Sequence, residues 1–143
     1  MDNLTAILYK TGDIRLEQTA VARPGPNQVL LKMDSVGICG SDVHYWTHGA
    51  IGDFIVRAPM VLGHEAAGVV AEVGDAVTHL KAGDRVAIEP GVPCRMCKLC
   101  KTGVYNLWYG EKYFLPAIAR HLTKYFQSRH AVLCHPPSGR QPL

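Results

Sequence analysis

Short apolar runs punctuated by glycine and proline fill the first hundred positions. Leu4–Tyr9, Gln28–Val36, Gly68–Val73 and Arg85–Glu89 are rich in Val, Leu, Ile and Tyr, and each is strand-length. Pro24-Gly25-Pro26-Asn27 and Ala82-Gly83-Asp84 supply turn chemistry between them. Alternation within Val29–Val36 is only partial, as suits a strand half covered on one side. Short strands with frequent glycine turns predict a mainly β (α+β) domain, an irregular barrel or sandwich. Ser41–His48 is predicted as a short helix opening at Ser41, with Asp42 in the first turn where a negative charge suits the helix dipole.

The pattern changes at Trp108. Residues 1–107 carry 10 Lys and Arg against 11 Asp and Glu, whereas residues 108–143 carry 5 against 1 and hold four of the nine prolines. Leu115, Ile118, Ala119, Leu122 and Phe126 recur at helical spacing, with Pro116 suited to a helix start, so a short helix is predicted over about 116–128. Beyond it, the run His135-Pro136-Pro137-Ser138-Gly139 completes a tail expected to be disordered.

Composition narrows the function classes. Of 143 residues 48% are apolar and 19% charged, a globular balance. A net charge of +3 without a Lys/Arg stripe argues against nucleic acid. No stretch approaches the roughly 20 apolar residues of a membrane span, and no basic, apolar leader opens the chain, so a cytoplasmic protein is expected. No Gly-x-Gly-x-x-Gly occurs, so a doubly wound Rossmann domain is not expected within this chain.

Three of the five cysteines cluster as Cys94-x-x-Cys97-x-x-Cys100, which in a reducing compartment reads as metal binding rather than disulfides. Cys39 precedes the predicted helix, and Gly63-His64-Glu65 follows 25 residues later. A thiolate, an imidazole and a carboxylate make a three-ligand set suited to a catalytic Zn²⁺ with one open position. Alone, each is more often a buried small residue or a solvated polar group.

Longer motifs add a resemblance. Gly63-His64-Glu65-Ala66-Ala67-Gly68, followed by Gly74 and Val77, resembles the zinc signature of medium-chain alcohol dehydrogenases. Cys39-Gly40-Ser41-Asp42-Val43-His44-Tyr45 is similar to their polyol branch (sorbitol, xylitol and arabinitol dehydrogenases), and Gly83–Gly91 extends the match into the cysteine cluster. The resemblance implies a partial GroES-like barrel over residues 1–107. In it Cys39, His64 and Glu65 hold the catalytic zinc, and Ser41 then His44 carry the substrate's proton towards solvent. Asp42 orients His64, and Tyr45 lines the polyol pocket. Gly63, Gly68 and Gly74 are expected to serve backbone geometry.

The same resemblance implies a structural zinc site at Cys94, Cys97 and Cys100 with a fourth cysteine eight residues later. That position is Trp108, whose indole offers no ligand atom, so the site is expected to be vestigial unless Cys134 or His135 completes it. The family pattern also stops at Trp108, through a changed reading frame or a divergent tail. The sequence is therefore expected to be a catalytic-domain fragment, inactive alone. NAD would bind only in the full-length family, and the strand edges that a return segment covers would be left unpaired. The implied activity is oxidation of a polyol's secondary hydroxyl to a ketose. Two other readings are a zinc protein of non-redox chemistry, and an interaction module that associates with full-length dehydrogenase subunits.

Overall fold

The computed structural model describes residues 3–89, 94 and 96–105, and the backbone of residues 125–128 and 131–133. Ten strands and two short helices are present among them. In chain order they are β1 (Leu4–Lys10), β2 (Asp13–Gln18), β3 (Val29–Gly37), α1 (Gly40–His48), β4 (Ala50–Ile51), β5 (Phe54–Ile55), β6 (Met60–Val61), β7 (Glu65–Val73), β8 (Arg85–Ile88), α2 (Lys98–Lys101), β9 (Tyr125–Ser128) and β10 (Ala131–Leu133). A mainly β fold is what the glycine-punctuated apolar runs predict. No described helix is long and apolar enough to cross a membrane.

The strands form a three-stranded sheet, β2-β1-β6, a five-stranded sheet, β10-β8-β7-β3-β9, and the small hairpin β4-β5. Val29, Leu30 and Leu31 are all buried, although neighbouring strand residues point to opposite faces. β3 lies between β7 and β9 in the larger sheet, and the burial of three successive residues shows cover on both faces at its start, not on the one face that its alternation suggests. Val29, Leu31, Val70, Leu80, Val86 and Ile88 form the principal core, with Met33, Ala66, Val73 and Val77 packed against it. A second cluster, Leu8, Tyr45 and Leu62, joins α1 to the smaller sheet. Val70→Ala removes a 2% exposed side chain from the principal core. Its expected cost is about 2 kcal/mol from lost transfer energy and a residual cavity, read as a lower urea midpoint.

β9 and β10 revise two expectations. The helix predicted over about 116–128 gives way to strand at Tyr125–Ser128, and Ala131–Leu133 is a strand within the tail expected to be disordered. The rest of that predicted helix lies outside the described residues. Nor are the flanking edges of the core strands open. β9 pairs with β3 from Val29↔Ser128 to Lys32↔Tyr125, and β10 pairs with β8 from Ala131↔Ile88 to Leu133↔Val86. Unsatisfied N–H and C=O groups along β3 and β8 reward an added extended segment, which outweighs the local helical spacing. Tyr125, Phe126 and Val132 are themselves good strand formers.

The linkage also shapes the sheet. Laid flat, four ladder spacings would set its outer strands about 19 Å apart. Yet Ser128 to Ala131 is a three-residue step that reaches at most about 11 Å. The sheet must therefore coil until its ends approach. It does not close into a hydrogen-bonded barrel, because β9 and β10 lie at opposite ends of the strand order.

Candidate metal centre

Helix α1 begins earlier than its sequence suggests. Its N-cap is Cys39, not Ser41, with extended φ −86° and ψ 158°. The reason is Asp42, which stands at the third helical position and accepts a hydrogen bond from the Cys39 backbone N–H at 2.9 Å. That bond satisfies a donor at the helix entrance and brings a carboxylate to the positive end of the helix dipole. Ser41 lies one residue into the helix, half-buried, and Gly49 closes the helix in the left-handed region at φ 72°.

Asp42 is buried and reaches a second loop. Its Oδ1 accepts from the Gly63 backbone N–H at 3.0 Å. Gly63 has φ 87°, a conformation costly for residues with a Cβ, and leads directly into His64. One carboxylate thus ties together the two chain segments that carry Cys39 and His64. The same Oδ1 lies 3.9 Å from His64 Nδ1, an ion-pair separation too long for a hydrogen bond. Asp42's direct hold on His64 is therefore weaker than its hold on the backbone before it.

Cys39, His64 and Glu65 each bring a ligand atom to within 4.8 Å of the others. Cys39 and His64 are half-buried, whereas Glu65 is exposed at the start of β7. A soft sulfur, an imidazole nitrogen and a carboxylate oxygen are a donor set that fits zinc. The register Gly37↔Glu65 sets the carboxylate beside β3. A Cβ on Gly37 would come within 2.9 Å of Glu65 Oε2, so Gly37 leaves room for that side chain. The sequence reading missed Gly37, and its place two residues before Cys39 was the available signal.

The remaining site candidates lie on α1. His44 is exposed, and its ring centroid is 5.3 Å from that of His48 one turn later. Tyr45 is buried against Leu8 and Leu62, and burial raises its phenol pKa. It also lines a cavity of about 280 Å³ with Asp53, Phe54, Val56, Arg57 and Met60. The sequence reading named only Tyr45 of these, since the cavity depends on the β4-β5 hairpin folding back under α1.

The second cysteine group is equally close-set. Cys94, Cys97 and Cys100 bring their sulfurs within 4.8 Å of one another, with 3.6 Å between those of Cys94 and Cys100. Cys97 caps α2, its sulfur accepting from the Cys100 N–H at 3.5 Å, and its own N–H donates to Cys94 Sγ at 3.4 Å. That donated N–H, helped by the N–H of Met96, lowers the Cys94 thiol pKa to about 7. Tyr105 Oη donates to Glu89 Oε2 at 3.1 Å, tying this lobe to the end of β8, and the contact raises the Tyr105 pKa. Trp108, Cys134 and His135 lie outside the described residues.

Comparison with known proteins places the chain. It is 66% identical to sorbitol dehydrogenase of Gallus gallus over 105 residues, which are 73% of this chain and 30% of that protein. It is 65% identical to sorbitol dehydrogenase of Mus musculus over 106 residues, 74% of this chain and again 30% of the relative. The chain thus spans about a third of the length of these relatives. Among solved structures it is similar to galactitol-1-phosphate dehydrogenase of Escherichia coli, with TM-score 0.79 and 26% identity over 94% of this chain and 38% of the other. Residues 25–133 match the alcohol dehydrogenase GroES-like domain, a span that runs from the turn before β3 to the end of β10, and the chain belongs to that family.

Proposed function

We propose that this chain is the zinc-bearing catalytic domain of a polyol dehydrogenase that oxidises a secondary hydroxyl of a sorbitol-, xylitol- or arabinitol-class polyol to a ketose. The observation that carries this reading is the convergence of Cys39, His64 and Glu65 at the entrance of α1. Similarity to sorbitol dehydrogenases supports the substrate class. Zinc held by these three residues supplies Lewis acidity that makes an alcohol's proton available near neutral pH.

The chain's own residues do the rest. Asp42 fixes the Cys39 and Gly63 backbones, so the thiolate and the imidazole are presented together. Ser41 takes the hydroxyl proton, and His44, one helical turn on and exposed, releases it to solvent. Tyr45 orients the polyol from the wall of its cavity. NAD would supply the hydride acceptor, and it would have to be held close and in line by a coenzyme domain, for which this sequence carries no Gly-x-Gly-x-x-Gly motif. The free state of Cys39, Cys94, Cys97 and Cys100 suits a reducing, cytoplasmic setting.

Zinc retention under competitive chelation tests the site. Cys39→Ser and His64→Ala are each expected to release the zinc that the native chain keeps. Retention equal to that of the native chain would refute the assignment. The purified 143-residue chain is expected to give no NADH with sorbitol, xylitol or arabinitol. Turnover by the chain alone would show that it needs no separate coenzyme domain.

A further inference from the structure

The cysteine lobe departs from the structural zinc site that its sequence resembles. Structural zinc takes four protein ligands in a tetrahedron. Among the described residues three sulfurs converge, and the position eight residues beyond Cys100 holds Trp108, which has no lone pair to offer. We propose that Cys94, Cys97 and Cys100 form a three-thiolate site for a thiophilic ion whose coordination three sulfurs complete, trivalent arsenic being the type.

The three sulfurs are arranged before any ion arrives. Backbone N–H groups of Cys97 and Cys100 point at the sulfurs of Cys94 and Cys97, which offsets charge on thiolates held side by side. The α2 turn brings Cys100 back towards Cys94, leaving their sulfurs 3.6 Å apart. All three residues are half-buried, so the cluster is sheltered and still reachable. The Tyr105–Glu89 hydrogen bond anchors the lobe to the sheet. Soft thiolates favour soft ions, and a set of three selects an ion that needs no fourth donor. With arsenous acid the exchange balances without redox change. Three As–O bonds break, three As–S bonds form, and the three thiol protons leave with the three hydroxides as water.

The reduced, full 143-residue chain treated with one equivalent of arsenite, then alkylated and peptide-mapped, tests the site. Of its five cysteines, Cys94, Cys97 and Cys100 are expected to lose labelling together, while Cys39 and Cys134 label as before. Protection of only two cysteines, or of a set that includes Cys39 or Cys134, would overturn the proposal. Zinc gives an independent arm. The native lobe is expected to yield zinc to a chelator that a Trp108→Cys variant resists. Equal retention by the two chains, or tight native zinc that Cys134→Ser releases, would also overturn it.

Discussion

Asp42→Ala is expected to destabilise the metal-free chain by roughly 3 to 5 kcal/mol, because two charge-assisted hydrogen bonds vanish, one of them from a buried donor and the other from a half-buried one. Those donors are the backbone N–H groups of Cys39 and Gly63, and the carboxylate between them is only 7% exposed. Zinc affinity is expected to fall about 10- to 100-fold, since the segments presenting Cys39 and His64 lose their common anchor. Asp42→Asn, which keeps one acceptor oxygen and turns an amide N–H₂ towards a backbone N–H, is expected to fall between the two. His64→Ala provides the contrast, with a large loss of zinc affinity and little loss of stability. Urea unfolding of the metal-free chains, paired with competitive zinc titration, separates the two effects. An Asp42→Ala chain within about 1 kcal/mol of the native one would show that the carboxylate does not anchor these loops.

Gly68→Ala is the second large effect, expected at about 3 kcal/mol through overpacking that no rotamer change relieves. A Cβ there would drive into the Lys32 carbonyl oxygen, and would stand 3.1 Å from the Lys32 carbonyl carbon and 3.2 Å from Met33 Cα. These are backbone atoms of β3, facing Gly68 across the register beside an irregularity between Met33 and Ser35. The strands must therefore separate, and Glu65 lies three residues away on the displaced strand. Gly68→Ala is thus expected to weaken zinc binding as well as lower the urea midpoint. Gly40→Ala is the matched control. Its Cβ meets nothing within 4 Å at the start of α1, so a gain of up to about 1 kcal/mol is expected. Comparable losses in the two variants would mean that helix-entry geometry, not strand contact, sets the cost.

Much of the site was legible because its chemistry is written in residue types. Cys39, His64 and Glu65 were nameable as a ligand set before their proximity was known. Strand positions were legible where apolar runs ended at glycine or proline, as at Arg85–Ile88 after Gly83. The helix entrance was misplaced because Ser41 is a strong N-cap by type. Cys39 takes that place because Asp42 bonds to its backbone N–H and, through its other oxygen, to the distant Gly63. Likewise Gly37 looks like any strand-end glycine until the β3-β7 register sets it against Glu65. The strand at Tyr125–Ser128 was hidden for the same reason, since the partner that makes it a strand lies near Val29.

That last pairing also orders events in time. Val29 with Ser128, and Lys32 with Tyr125, are the pairings of greatest sequence separation in the sheet, so their hydrogen bonds form against its largest loop-closure entropy. The β3-β7 and β7-β8 pairings close shorter loops and come first. During synthesis from the N-terminus, β3 and β8 therefore wait with one side open until a single stretch near residue 130 emerges. That stretch then covers the outer side of both strands, and the slowest phase of refolding is expected to be the one that fixes Tyr125–Ser128 beside β3.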